Sequence, residues 1–215
     1  MSWRSLREAR RYVLWALVAE VALLPWALGR GRLLFGTLVV CLLFFRDPRR
    51  EVCGDPDVIY ASADGVVVGV DTAPEKWLNG GEALRISTFL SIHDVHVNRS
   101  PAAGRIVEAE TLGGGHAPAL LRRAGHNHRK RLAIDDGNRR VVVVQIAGAL
   151  ARRISSWAWL GDRVGAGDRI ALIHFGSRAE VLVPVNDARA LARVGQRVRA
   201  GITPLARYRE GAHPA

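Results

Sequence analysis

The sequence predicts an α+β fold that is mostly β: a hydrophobic helical hairpin at the N-terminus, then a sandwich- or barrel-like domain of many short strands. Three observations carry this. Two apolar runs with basic flanks fill the first 50 of the 215 residues. From Val58 onward the apolar runs shorten to strand length. Turn residues separate them, at Asp64-Gly65, Asn79-Gly80-Gly81, Gly113-Gly114-Gly115 and Asp136-Gly137.

The N-terminal segment, residues 1–50, opens on Arg4, Arg7, Arg10 and Arg11. The run YVLWALVAEVALLPWALG follows from Tyr12 to Gly29, broken only by Glu20 and Pro25. After RGR, a second run, LLFGTLVVCLLFF, ends at Phe45, and basic residues resume at Arg46, Arg49 and Arg50. A spanning helix needs about 20 apolar residues, so the first run is marginal and the second is short. Two arrangements fit: a tight hairpin that enters the bilayer, or two helices in the interface with Trp3, Trp15 and Trp26 near the headgroups. Arginines at both ends put both ends, and the domain that follows, on the cytoplasmic side of the cell membrane. No small-residue cleavage site follows the first run, so no removable signal peptide is expected.

The second segment, residues 51–215, reads as strands. VIYASADGVVVGV, ALRISTFLS, HVNRSPAAGRIVEAE, RLAIDD, RRVVVVQIAG, RIALIHFG and AEVLVPV are the β-type runs. Short helices are expected around Ala117–Ala124 and Ala149–Ile154, and a further one from Asp187 to Val194, with a strand after it. WLGDRVGAGDRIALI carries Gly-Asp turns that resemble those of biotinyl/lipoyl-type β-sandwiches. No carrier lysine of the Met-Lys-Met type follows, so the swinging-arm function does not come with them.

The net charge of +11, from 31 Lys+Arg against 20 Asp+Glu, favours an anionic partner, either nucleic acid or a membrane carrying acidic lipids. The basic residues are scattered and no aromatic-basic platform accompanies them, which argues against nucleic acid. The two cysteines, Cys41 and Cys53, show neither metal spacing nor a disulfide framework, so a reducing compartment and no metal are expected.

Three local segments carry chemistry. SADG holds Asp64 in a turn, LSIHDVHVNRSP holds His93 and His96, and HFGSR holds Gly176-Ser177. One Asp, one His and one Ser make a nucleophile–base–orienter set possible. Spacing alone gives blander readings. A regular strand would put His93 and His96 on opposite faces. A Gly-Ser step between two apolar strands is first of all a hairpin turn.

At these residues the chain resembles the phosphatidylserine decarboxylase proenzyme family in its short form. The resemblance runs nearly end to end. FFRDPRR resembles the membrane-proximal junction, ASADGVV the Asp-Gly turn, and LSIHDVHVNRSPAAGRI the most diagnostic block. VVVVQIAGALARRI and GDRVGAGDRIALIHFGSRAEVLVP complete the order. HNHRKR stands where the family tends to carry an Asn-Glu-Arg patch, so His128 replaces the acid.

The resemblance implies a self-processing enzyme that converts phosphatidylserine to phosphatidylethanolamine. Losing CO2 from an amino acid head group needs an electron sink, and a pyruvoyl cofactor made from Ser177 would be that sink. Ser177 Oγ would attack the Gly176 carbonyl, turning the amide into an ester. β-Elimination would leave a dehydroalanine at 177, which hydrolyses to pyruvoyl and ammonia. His96 is the expected base, Asp64 the residue that orients it, and His93 a proton donor in decarboxylation. The products would be chains 1–176 and 177–215, joined as a heterodimer with room for further assembly. Two other functions are to be weighed: decarboxylation of another serine-headed lipid, such as an archaetidylserine, and a non-enzymatic membrane-anchored adaptor.

Overall fold

The structure, a computed structural model, describes residues 3–23, 32–52, 54–78, 81–115, 127–148, 153–174 and 177–209. The chain divides into two compact units, residues 1–49 and 50–215.

The first unit holds α1 (Trp3–Leu23) and α2 (Arg32–Phe44). They run antiparallel. The backbone N of Leu34 donates to Glu20 Oε2 at 3.2 Å, and the Tyr12 and Phe45 rings lie 5.7 Å apart. Leu14, Trp15, Val18 and Val21 of α1 are exposed, as are Phe35, Val40 and Leu43 of α2. No described helix is long and apolar enough to cross a membrane. Cys41 is buried, which pushes its thiol pKa up. Cys53 lies outside the described residues.

The second unit is built of strands, as the short runs imply. In chain order these are β1 (Val58–Tyr60), β2 (Gly65–Pro74), β3 (Glu82–Leu90), β4 (Val97–Arg99), β5 (Gly104–Leu112), β6 (Arg129–Asp135) and β7 (Arg140–Ile146). Then come β8 (Ile154–Ser156), β9 (Arg163–Val164), β10 (Arg169–Ile173), β11 (Ser177–Pro184), β12 (Ala188–Ala190), β13 (Arg197–Val198) and β14 (Pro204–Tyr208). The described strands form a large sheet of order β13-β2-β3-β11-β7-β6-β5-β9 and two small ones, β1-β14-β12 and β4-β10-β8.

Both small sheets cover the same face of the large one. Ile59, Ala188, Leu205 and Tyr208 of the first pack with Ile86, Val141, Val181 and Val183. Ile170 of the second packs with Ile106, Leu132, Ile134 and Val143. On the opposite face Val142, Val144, Ile146 and Leu182 pack with Leu78, and Trp77 closes over them. Full burial of each such side chain stabilises the fold by about 1.5–3 kcal/mol. β11 is therefore central, with a strand on each side and a packed layer on each face.

Two expected helices are corrected. Ala188 to Ala190 pair with β14 as a strand, because Ala188 opposite Tyr208 is buried in the core, which overrides the helix-forming composition of DARALARV. Ile154 opens β8 opposite Ile173 rather than ending a helix. Residues 149–152 and the helix expected at 117–124 lie outside the described residues. The Gly-Asp turns are present as turns: Gly161 and Gly167 have φ of 90° and 80°, and Asp168 Oδ2 accepts from Gly165 N at 2.7 Å.

Candidate active site

The step from β10 to β11 is not a hairpin. β10 pairs with β4 and β8, whereas β11 pairs with β3 and β7, so the chain changes sheets between Ile173 and Ser177. The same change occurs alongside it. β3 pairs with β11, β4 pairs with β10, and residues 91–96 join the two. Ser177 pairs with Leu90 at one end of that connection. At the other end, Ile173 N donates to the His96 carbonyl at 3.2 Å. Two sheet-changing corners thus lie side by side, one carrying Ser177 and the other both histidines. Phe175 and Gly176 lie outside the described residues.

Ser177 opens β11 and shares the face of Ala179, Val181 and Val183, which the small sheets cover. It is 0% exposed, and its Oγ makes no hydrogen bond. Leaving a buried hydroxyl unmade costs about 1–3 kcal/mol, and such orphans call for a functional reading.

His96 and His93 do not sit on opposite faces of a strand; they lie in the connection between β3 and β4, His93 in its turn and His96 just before β4. Asp94 closes the turn, accepting from Ser91 N at 2.9 Å and Ser91 Oγ at 2.8 Å through Oδ2. This turn divides the two rings: His93 is exposed and His96 is fully buried. His96 Nδ1 lies 2.9 Å from the Asp94 carbonyl. A carbonyl can only accept, so Nδ1 carries the proton and Nε2 keeps the lone pair of a base.

Asp64 reaches the same corner through its neighbours. Ser62 Oγ donates to the Arg99 carbonyl at 2.8 Å, and Ala63 packs against Leu90 and Ala179. Its carboxylate is held by Arg50, with Nη1 to Oδ1 at 2.6 Å and Nη2 to Oδ2 at 2.7 Å, and by the backbone N of Ala200 at 2.8 Å. Arg50 also donates to the Ala200 carbonyl at 2.6 Å. The clamp was not legible in the sequence, where Arg50 is one arginine among several in FFRDPRR and nothing marks it as the partner of Asp64. Gly65 follows with φ of 150°, packed so closely on the Phe89 carbonyl that no Cβ fits.

The Arg50 and Asp64 side chains are only 6% and 13% exposed. Removing one partner of such a pair strands a buried charge, so Arg50→Leu is expected to cost about 3 kcal/mol. Denaturant unfolding of the variant against the parent chain checks it. Arg50→Lys should recover only part of the loss, since an ammonium cannot reproduce the two parallel hydrogen bonds.

A fully buried serine hydroxyl and a fully buried imidazole on adjacent corners are the residue types that an acyl-transfer class of site uses. The comparisons with known proteins give that class its family. Residues 38–206 match the phosphatidylserine decarboxylase family. The chain is 41% identical over 194 residues to the phosphatidylserine decarboxylase proenzyme of Symbiobacterium thermophilum, covering 89% of each chain. It is 40% identical to that of Azorhizobium caulinodans, over 94% of this chain and 88% of the other. It is also 36% identical to a Methanopyrus kandleri protein provisionally named an archaetidylserine decarboxylase proenzyme, over 87% of this chain and 91% of the other. The chain belongs to the phosphatidylserine decarboxylase family, and it is a decarboxylase of the proenzyme type.

Proposed function

We propose that the chain cleaves itself between Gly176 and Ser177 and then decarboxylates phosphatidylserine to phosphatidylethanolamine at the inner face of the cell membrane. The observation that carries this reading is the orphaned, fully buried Oγ of Ser177 at a corner shared with His96. His96 Nε2 takes the Ser177 proton as Oγ attacks the Gly176 carbonyl, while the Asp94 carbonyl holds the ring in the required tautomer. Asp64 is clamped by Arg50 and the Ala200 N–H rather than orienting His96 through a hydrogen bond, so its part is to favour, by its negative charge, the imidazolium that forms. A pyruvoyl group, which residue 177 would carry, would offer an electrophilic carbonyl to the substrate amine and an electron sink for the loss of CO2. His93, on the exposed side of the turn, returns a proton to the head-group carbon.

Cleavage leaves β11 to β14 held in place. β11 remains paired between β3 and β7, and β14 remains beside β1, so the two chains form a heterodimer without a covalent link. Biotinyl/lipoyl-like architecture is part of this reading and rests on the two Gly-Asp turns. The exposed apolar side chains of α1 and α2, with the net charge of +11, support attachment to an anionic membrane surface. Deleting residues 12–45 is expected to leave a folded domain that no longer sediments with acidic-lipid vesicles. Sedimentation of the deleted chain in high salt would contradict that attachment.

The second reading, an archaetidylserine-type ether lipid as substrate, has the Methanopyrus kandleri relative in its favour. The head-group chemistry is the same for both. CO2 release from carboxyl-labelled phosphatidylserine and from its serine-headed ether counterpart, each in vesicles, separates them. Preference for the diacyl lipid is the expected result, and release from neither rejects the decarboxylase function.

A further inference from the structure

Gln145 is fully buried on β7, and neither its Oε1 nor its Nε2 has a hydrogen-bond partner. An amide left wholly unpaired in a protein interior is costly and calls for an explanation. The register supplies its surroundings. Gln145 pairs with Ala179 of β11 and with Lys130 of β6. Directly opposed residues of an antiparallel pair share a face, and so do residues two apart on one strand. Gln145 therefore shares the face of Ser177, one diagonal step away, about 7–8 Å by sheet geometry. A third orphan, Asn98 Oδ1, lies on β4 opposite Ala171, two residues from His96.

We propose that the Gln145 amide positions the amino acid end of the substrate head group beside residue 177, an inference that rests on the decarboxylase reading above. An amide offers one acceptor and two donors, which matches an ammonium and a carboxylate on the same carbon. Oε1 accepts from the ammonium and Nε2–H donates to the carboxylate. A neutral donor suits a group about to leave as CO2, because a cation in its place would stabilise the carboxylate against that loss. The neighbouring Lys130 is engaged elsewhere. Its Nζ donates to the Ala158 carbonyl at 3.0 Å and lies 4.5 Å from the Trp159 ring centroid. Burial lowers the Lys130 pKa, which further weakens it as a fixed positive charge.

The test compares Gln145→Leu, Gln145→Met and Gln145→Glu with the wild type, using phosphatidylserine in mixed micelles. The Leu and Met variants keep the shape and remove the hydrogen-bonding groups. They should still process fully and should be no less heat-stable than the wild type. Their KM should rise about tenfold or more, the loss expected for hydrogen bonds to charged groups, with kcat changed far less. Gln145→Glu keeps the acceptor but adds a charge that repels the carboxylate, so its KM should rise further. A wild-type KM in the Leu and Met variants overturns the inference, and so does failure of both to process, which would assign the amide to folding or self-cleavage. A wild type that neither cleaves nor releases CO2 is a different failure, that of the decarboxylase reading itself.

Discussion

Ser177→Ala is expected to remain one chain of 215 residues and to release no CO2 from phosphatidylserine. The effect is all-or-none because the substitution removes the Oγ that the proposed cleavage uses to attack the preceding carbonyl. It should not unfold the protein. Ser177 is buried among Leu90, Ala179 and their neighbours, and its Oγ makes no hydrogen bond, so replacing it with a methyl group removes an orphan and leaves the packing intact. Its melting temperature should match or exceed that of a processing-impaired His96 variant. Ser177→Cys separates the steps: a thiol can form the corresponding thioester and allow a cut, but with little decarboxylase activity afterwards. Denaturing electrophoresis reads the cut, and CO2 release reads the activity.

His96→Ala should slow self-cleavage by about 10²–10⁴-fold, the range for losing a positioned general base. Asp64→Ala should also block or greatly slow the cut, through the loss of the charge that Arg50 holds in place. His93→Ala should be processed normally and decarboxylate poorly. The burial of His96 and the exposure of His93 motivate this division, since a buried ring suits a step within the chain and an exposed one a step on a substrate from outside. A time course of cleavage for the three variants, followed by CO2 release from those that mature, checks it. An uncut His93→Ala chain would overturn the division of labour between the two histidines.

The strands were largely legible because their signals are local. Apolar runs of strand length, bounded by Asp64-Gly65 or Asp136-Gly137, became β2 and β7. The helix expected over 187–194 misled because Ala, Leu and Arg favour helix in isolation, while for residues 188–190 a partner strand sixteen or more residues later decides otherwise. The candidate residues Asp64, His96 and Ser177 were legible from type and order. What surrounds them was not. The Arg50 clamp on Asp64 spans 14 residues and its bond to Ala200 spans 150, and neither leaves a mark in the sequence. The Asp94 carbonyl that fixes the His96 tautomer is a backbone group, which no side-chain pattern records. The change of sheet at Ser177 was hidden for the same reason: RIALI and EVLV flanking a Gly-Ser step read as a hairpin until the pairing of each strand is known.

Intact-mass spectrometry of the purified wild-type protein tests the central claim most directly. The account predicts two species: residues 1–176 ending in a free carboxylate at Gly176, and residues 177–215 beginning with a pyruvoyl group. The smaller one should be lighter than the serine-headed peptide by the mass of one ammonia, and it should resist Edman sequencing for lack of a free amine. A single full-length species, or a smaller fragment that begins with an unmodified serine, would contradict it.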